Sequence, residues 1–240
     1  MTPAARERVQ VRAPVLFLCA AAWIALLFQP AGTTLPAHCS AALLSLNAPG
    51  SMAGGWALML AAMMGPALIA PVRHVRDRSF ARRRVRAIAL FVAGYGAVWM
   101  AAGVVLIALA RAMRLAASES SVPLVLALVI ALVWQFSPAK QRCLNRCHAH
   151  SELPAFGVAA ELGALRFGLA HGVWCAGSCW ALMLVPLLIS RGHLAAMALV
   201  TLWLIGERFD RPLQPRWRLR GPDKAVRIAL AQTRMRLQHS

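Results

Sequence analysis

Residues 167–190 read Phe-Gly-Leu-Ala-His-Gly-Val-Trp-Cys-Ala-Gly-Ser-Cys-Trp-Ala-Leu-Met-Leu-Val-Pro-Leu-Leu-Ile-Ser, which sets His171, Cys175, Cys179 and Met183 at steps of four residues. The run is long enough to cross a bilayer as a helix, which takes about 20 apolar residues. Similar apolar stretches lie at 13–29, 54–72, 87–110, 121–137 and 193–206. The expected fold is therefore all-α: a polytopic membrane helical bundle of about six transmembrane helices. Residues 1–206 form a single transmembrane domain and residues 207–240 a basic cytoplasmic tail.

Composition agrees, since the chain is 60% hydrophobic and only 14% charged, against about 25% charged in soluble proteins. Basic residues sort to one side of this arrangement. Arg6, Arg8 and Arg12 precede the first span, seven arginines from Arg73 to Arg86 follow the second, Lys140, Arg142, Arg146 and Arg166 separate the fourth from the fifth, and many more follow the sixth. The opposite side carries only Arg111 and Arg114, set against Glu119, and Arg191. By the positive-inside rule both termini are cytoplasmic. The net charge of +18 then reflects topology and attraction to anionic lipid headgroups. Arginines divided among short loops beside apolar spans argue against a nucleic-acid partner. The basic, then apolar, start has the look of a signal peptide but lacks a small-residue cleavage site. Leu35-Pro-Ala-His-Cys39 only faintly suggests a lipid-attachment site, so the first span reads as an uncleaved anchor. The tail, with Arg216-Trp-Arg-Leu-Arg220, fits either an amphipathic segment on the inner leaflet or a disordered basic extension.

Each step of four along a helix rises about 6 Å and turns about 40° past a full turn. His171 and Met183 are thus too far apart to share one ion, but neighbouring members of the stripe can. The stripe offers either one site centred on Cys175 and Cys179 or a ladder of sites for stepwise transfer. Thiolate, imidazole and thioether together form a donor set that favours Cu(I), with Zn(II) also able to bind. The competing reading is that these cysteines are small, buried, apolar packing residues. In the second span Met59 and Met63 share a face, and Pro66 loosens the helix just beyond them. Thioethers there suit Cu(I), although methionine is also ordinary core filler and Ala61, Ala62 and Gly65 are ordinary packing surfaces. After the fourth span, if helix resumes beyond Pro138, Cys143 and Cys147 share a face that His148 or His150 can approach. That set would take up or release metal near the cytosol, where thiols stay reduced. It lacks the Cys-x-x-Cys-His pattern of haem attachment. His38 and Cys39 form a further pair in the outward loop, and Cys19 reads as packing. No Ser-His-Asp arrangement, phosphate-binding glycine loop or intramembrane carboxylate pair points to hydrolase, nucleotide or proton-pump chemistry.

Several of these motifs together resemble a known family. They are Trp56-x-x-Met59 with Ala62-Met63-Met64-x-Pro66, Tyr95 with Trp99, Trp134-Gln135-x-x-Pro138-x-Lys140-x-x-Cys143-Leu144-x-x-Cys147, and Gly172-x-x-Cys175-x-Gly177-x-Cys179-Trp-Ala-Leu-Met183. The family comprises bacterial integral membrane proteins labelled as predicted metal-binding, a domain of unknown function sometimes described as a copper chaperone. The similarity runs from about Gly55 to Glu207. One departure is that the family often has two adjacent cysteines before the tryptophan, where this chain has Ser178 and Cys179, which removes one possible ligand of a four-thiolate site and leaves the two-thiolate site of Cys175 and Cys179. The resemblance implies a multi-pass protein of the bacterial inner (cell) membrane.

Three functions follow from these readings. The first is a metal-binding membrane protein that receives, holds or moves a copper-like ion, exchanging it with a donor or acceptor protein. In it Cys175 and Cys179 are central, His171, Met183, Met59 and Met63 support them, and Cys143 with Cys147 form the cytoplasmic-side set. The second is a membrane thiol-disulfide oxidoreductase passing electrons between Cys143/Cys147 and Cys175/Cys179, although the spacing of four disfavours a disulfide within either pair. The third is a non-catalytic scaffold or assembly factor. Binding is favoured over enzymatic action, and no catalytic residue is assigned.

Overall fold

The computed structural model describes residues 3–28, 48–117, 121–149, 151–154, 156–189, 192–210 and 212–218. Regular structure among them is all helical: α1 (Pro3–Leu27), α2 (Ala48–Met64), α3 (Ile69–Asp77), α4 (Arg84–Ala116), α5 (Val122–Phe136), α6 (Pro138–His148), α7 (Gly157–Leu188) and α8 (His193–Arg208). The expected pair His38 and Cys39, the residues Glu119, His150 and Arg191, and the tail from 219 onward lie outside the described residues.

Three helical segments among the described residues are long and apolar enough to cross a membrane: Met52–Asp77, Ala81–Ala116 and Gly157–Leu188. They coincide with the second, third and fifth expected spans. In the first of them Pro66 does loosen the helix, where a 3₁₀ turn at Gly65–Leu68 joins α2 to α3. The fourth expected span differs from a straight crossing, because α5 ends at Phe136 and α6 departs from it at 65°. Proline has no amide hydrogen and disfavours helical backbone in the residue before it. Ser137 is accordingly extended, and its hydroxyl accepts from the Lys140 amide at 3.1 Å, starting α6 at Pro138. The first and sixth expected spans are shorter, with an apolar part of 17 residues in Val11–Leu27 and a 16-residue α8 that continues to Arg208. Within the segment 138–166, expected to lie between spans, helix does resume after Pro138 as α6, and α7 begins at Gly157.

The bundle is organised around α7, and 72% of its most apolar stretch is buried. Its most extensive partner is α4. Small residues let the two backbones approach, as is common where helices meet in lipid. A Cβ on Gly168 would strike the Phe91 carbonyl, one on Gly94 would lie 2.7 Å from the Leu165 carbonyl oxygen, and one on Gly172 would lie 2.9 Å from Val98. Gly168 and Gly172 stand one turn apart, a small-residue pair that frames His171 and precedes Cys175 by less than a turn. Gly168→Ala is expected to destabilise by about 1–3 kcal/mol, because backbone cannot swing aside as a flexible side chain can. Gly96→Ala, on the open side of α4 with nothing within 4 Å, is the control and should be neutral or stabilising. Denaturant unfolding in detergent measures both, and equal effects would mean that the helices are not packed this closely.

Indole hydrogen bonds pin the remaining helices. Trp23 donates to the Ala62 carbonyl at 3.1 Å, Trp56 to the Trp99 carbonyl at 2.9 Å, and Trp134 to the Gly177 carbonyl at 3.0 Å. These bonds tie α1 to α2, α2 to α4 and α5 to α7. Cys19 packs against Gly65, in keeping with a packing role.

Candidate metal centre

Cys175 lies on the buried side of α7 with no exposed surface, and Cys179, one turn on, is equally enclosed. The Cys175 sulfur is the common partner of four groups. Tyr95 on α4 places its hydroxyl 3.3 Å away, and Arg208 at the end of α8 donates to it from Nη2 at 3.0 Å. The thiols of Cys147 on α6 and Cys179 both lie within hydrogen-bonding reach of it, and Arg208 also reaches Cys147. Cys179 donates to the Cys175 carbonyl at 2.9 Å. Ser178, at the position of the missing cysteine, donates to the same carbonyl at 2.8 Å and lies 3.3 Å from the Cys179 sulfur.

Cys143 and Cys147 share a face of α6, as the spacing predicts, and that face lies against α7. They separate in role: Cys147 is buried and joins Cys175, whereas half-buried Cys143 sits one turn away over Gly177, where an added Cβ would come within 2.9 Å of its sulfur. His148 faces the carbonyls of Leu144 and Arg208 at 2.9 and 3.2 Å, joining α6 to the end of α8. His171 is buried one turn before Cys175, among the rings of Phe91, Tyr95 and Phe167 at centroid distances of 5.9–6.0 Å. Met59, Met63 and Met183 are all buried in the hydrophobic core that contains Cys147, Cys175 and Cys179, together with Met64 and Met197. Among the described residues no three or more His, Cys, Asp and Glu side chains are already grouped to hold a metal ion. The thiols of Cys147 and Cys179 gather around Cys175, whose sulfur is hydrogen-bonded by Tyr95 and Arg208, and all five described cysteines are free.

A polar lock adjoins this cluster. Lys140 and Glu207 form an ion pair at 2.8 Å with side chains 3% and 7% exposed. Gln135 bridges them by donating to Glu207 and accepting from Lys140, and Trp203 donates to Glu207 at 2.9 Å. The chain then returns over α6, where Asn145 exchanges hydrogen bonds with the backbone of Leu213 at 2.8 and 3.3 Å. Sequence reading missed Arg208 and placed Glu207 at the start of the basic tail. The available signal was a Glu-Arg pair closing an apolar run, since ionisable residues buried with an apolar helix need partners.

The fold and the cluster define an all-helical protein with a buried set of cysteine thiols. The family model described as PpoB2, copper chaperone, matches residues 53–221, which span α2 to beyond the return over α6. The chain belongs to this copper chaperone family. No curated protein and no solved structure matches it.

Proposed function

We propose that the chain is an integral membrane protein that binds copper as Cu(I) at Cys175, Cys179 and Cys147 and passes it to or from a partner protein. The observation that carries this reading is the buried Cys175 sulfur with two further thiols within reach, supplied by two helices of a copper chaperone family member. Two thiolates suffice for linear Cu(I), and the third allows a trigonal intermediate during exchange. Each ligating thiol gives up its proton, so Cu(I) and two thiols become a dithiolate complex with one negative charge and two released protons. The buried thioethers of Met183, Met59 and Met63 are weaker, neutral soft donors on the same core, and His171 stands one turn from the cluster.

Membrane insertion is supported by the outward faces of the helices. Val125, Leu126, Val129, Leu132 and Val133 on α5 and Val104 and Val105 on α4 are exposed apolar residues, a surface suited to lipid and costly in water. Six crossings with both termini cytoplasmic would place the basic Arg73–Arg86 segment against anionic headgroups of the inner membrane. In that arrangement the end of α8, where Arg208 meets the Cys175 sulfur, is the cytosolic end, which would set the thiol cluster toward the side of its donor or acceptor protein.

Elemental analysis of detergent-purified protein from copper- and zinc-supplemented cells tests the reading. Near-stoichiometric copper in the wild type, lost in Cys175→Ser/Cys179→Ser, is the expected result. Stoichiometric copper in the double variant, or zinc in its place in the wild type, would sink it. The oxidoreductase alternative would run through Cys147 and Cys175, whose thiols meet; a free-thiol count that stays constant after oxidant treatment excludes it.

A further inference from the structure

We propose that Arg208 is the counter-cation of the thiol site and sets its affinity for Cu(I), an inference that rests on the copper-binding reading above. The ion pairs among the described residues are Arg73–Asp77, Arg86–Glu161 and Lys140–Glu207, and Arg208 takes part in none of them. Its guanidinium is instead aimed at sulfur, donating to Cys175 at 3.0 Å and reaching Cys147. A guanidinium stays charged at any physiological pH and is a fork able to serve two acceptors at once. Arg208 itself is half-buried, and the acceptors its guanidinium meets among the described residues are the enclosed thiols, so it is matched to a negative charge that develops on them.

Charge balance supplies that negative charge. One Cu(I) ion with two thiolates carries one negative charge, and Arg208 brings the buried assembly to neutral. Without the guanidinium the loaded site would hold an uncompensated charge in a medium of low polarity, where it is costly. Arg208 is held for this task from its own backbone and from its neighbour. Its carbonyl meets His148, and the preceding residue, Glu207, is locked to Lys140, Gln135 and Trp203. The arginine therefore acts as a positioning and charge-balancing residue, and the sulfurs remain the ligands.

The test compares full-length wild type, Arg208→Gln and Arg208→Lys in detergent. Cu(I) is competed against bicinchoninate, and the ultraviolet charge-transfer band of the copper thiolate is followed. Arg208→Gln is expected to weaken Cu(I) binding by about 10- to 100-fold, the range for residues that support metal ligands, with stoichiometry and band position retained. Arg208→Lys, which keeps the charge, should restore affinity to within a few-fold of wild type. Wild-type affinity in Arg208→Gln overturns the proposal, and so does a loss in Arg208→Lys as large as in Arg208→Gln, since that would mark a role of shape rather than charge. If Arg208→Gln fails to fold, Arg208→Lys decides: retained affinity supports the proposal, and a tenfold loss overturns it. Absence of copper from the wild type overturns the underlying reading together with this one, whereas copper binding indifferent to Arg208 overturns this one alone.

Discussion

Cys175→Ser alone is expected to lower Cu(I) affinity by on the order of a thousandfold, about 4 kcal/mol, a far larger loss than Cys147→Ser or Cys179→Ser brings singly. The asymmetry follows from where the sulfurs sit. Cys147 and Cys179 each lie within reach of Cys175, and Tyr95 and Arg208 converge on the same atom at 3.3 and 3.0 Å. Removing Cys147 leaves Cys175 with Cys179, a pair that still satisfies linear Cu(I), so that variant should lose only roughly tenfold, about 1.4 kcal/mol. Removing Cys175 takes away the shared member of both pairs and leaves the Arg208 guanidinium without its principal acceptor. Competition against a Cu(I)-specific chelator ranks the three variants. Equal losses at all three positions would mean a symmetrical three-thiolate site, and a negligible loss at Cys175 would place the copper elsewhere.

What was legible in the sequence and what was not divides along a physical line. Local periodicity places residues on a face, so the stripe at Cys175 and Cys179, the common face of Cys143 and Cys147, and the loosening at Pro66 could be read from spacing alone. The helix beyond Pro138, which spacing could state only conditionally, is also a local matter, because the Ser137 cap and the missing amide act within one turn. Which faces meet is a tertiary fact. Spacing pairs Cys143 with Cys147, but the 65° bend after Phe136 lays α6 along α7 so that Cys147 joins Cys175 while Cys143 rests over Gly177. Nothing local in Tyr95 or Arg208 says that residues 80 and 33 positions away from Cys175 close on its sulfur. The small-residue pair Gly168 and Gly172 was readable and marks the α4 contact that brings Tyr95 there. The family match from 53 to 221 encloses every one of these residues, from Met59 to Arg208.

Lys140→Met should be among the most destabilising single substitutions in the chain, at about 3–5 kcal/mol, the range for removing one partner of a buried ion pair. Glu207 would keep Trp203 and Gln135 as donors but lose the only cation paired with it among the described residues, at a site 7% exposed. The penalty belongs to the carboxylate left behind rather than to the bond removed, which the double variant separates. Lys140→Met/Glu207→Leu removes both charges and should recover most of the loss, because apolar replacement of a complete buried pair is close to neutral. Denaturant unfolding in detergent, followed by circular dichroism, gives both values. A single-variant cost under about 1 kcal/mol would mean that water reaches this pair as it reaches surface pairs. The same experiment bears on copper. Glu207 adjoins Arg208, so an unlocked α8 end carries the guanidinium away from Cys175, and Lys140→Met should weaken Cu(I) binding although Lys140 touches no sulfur. Recovery of affinity along with stability in the double variant would place the effect in the position of Arg208. Stability recovered without affinity would instead assign Lys140 and Glu207 a part in the electrostatics of the site itself.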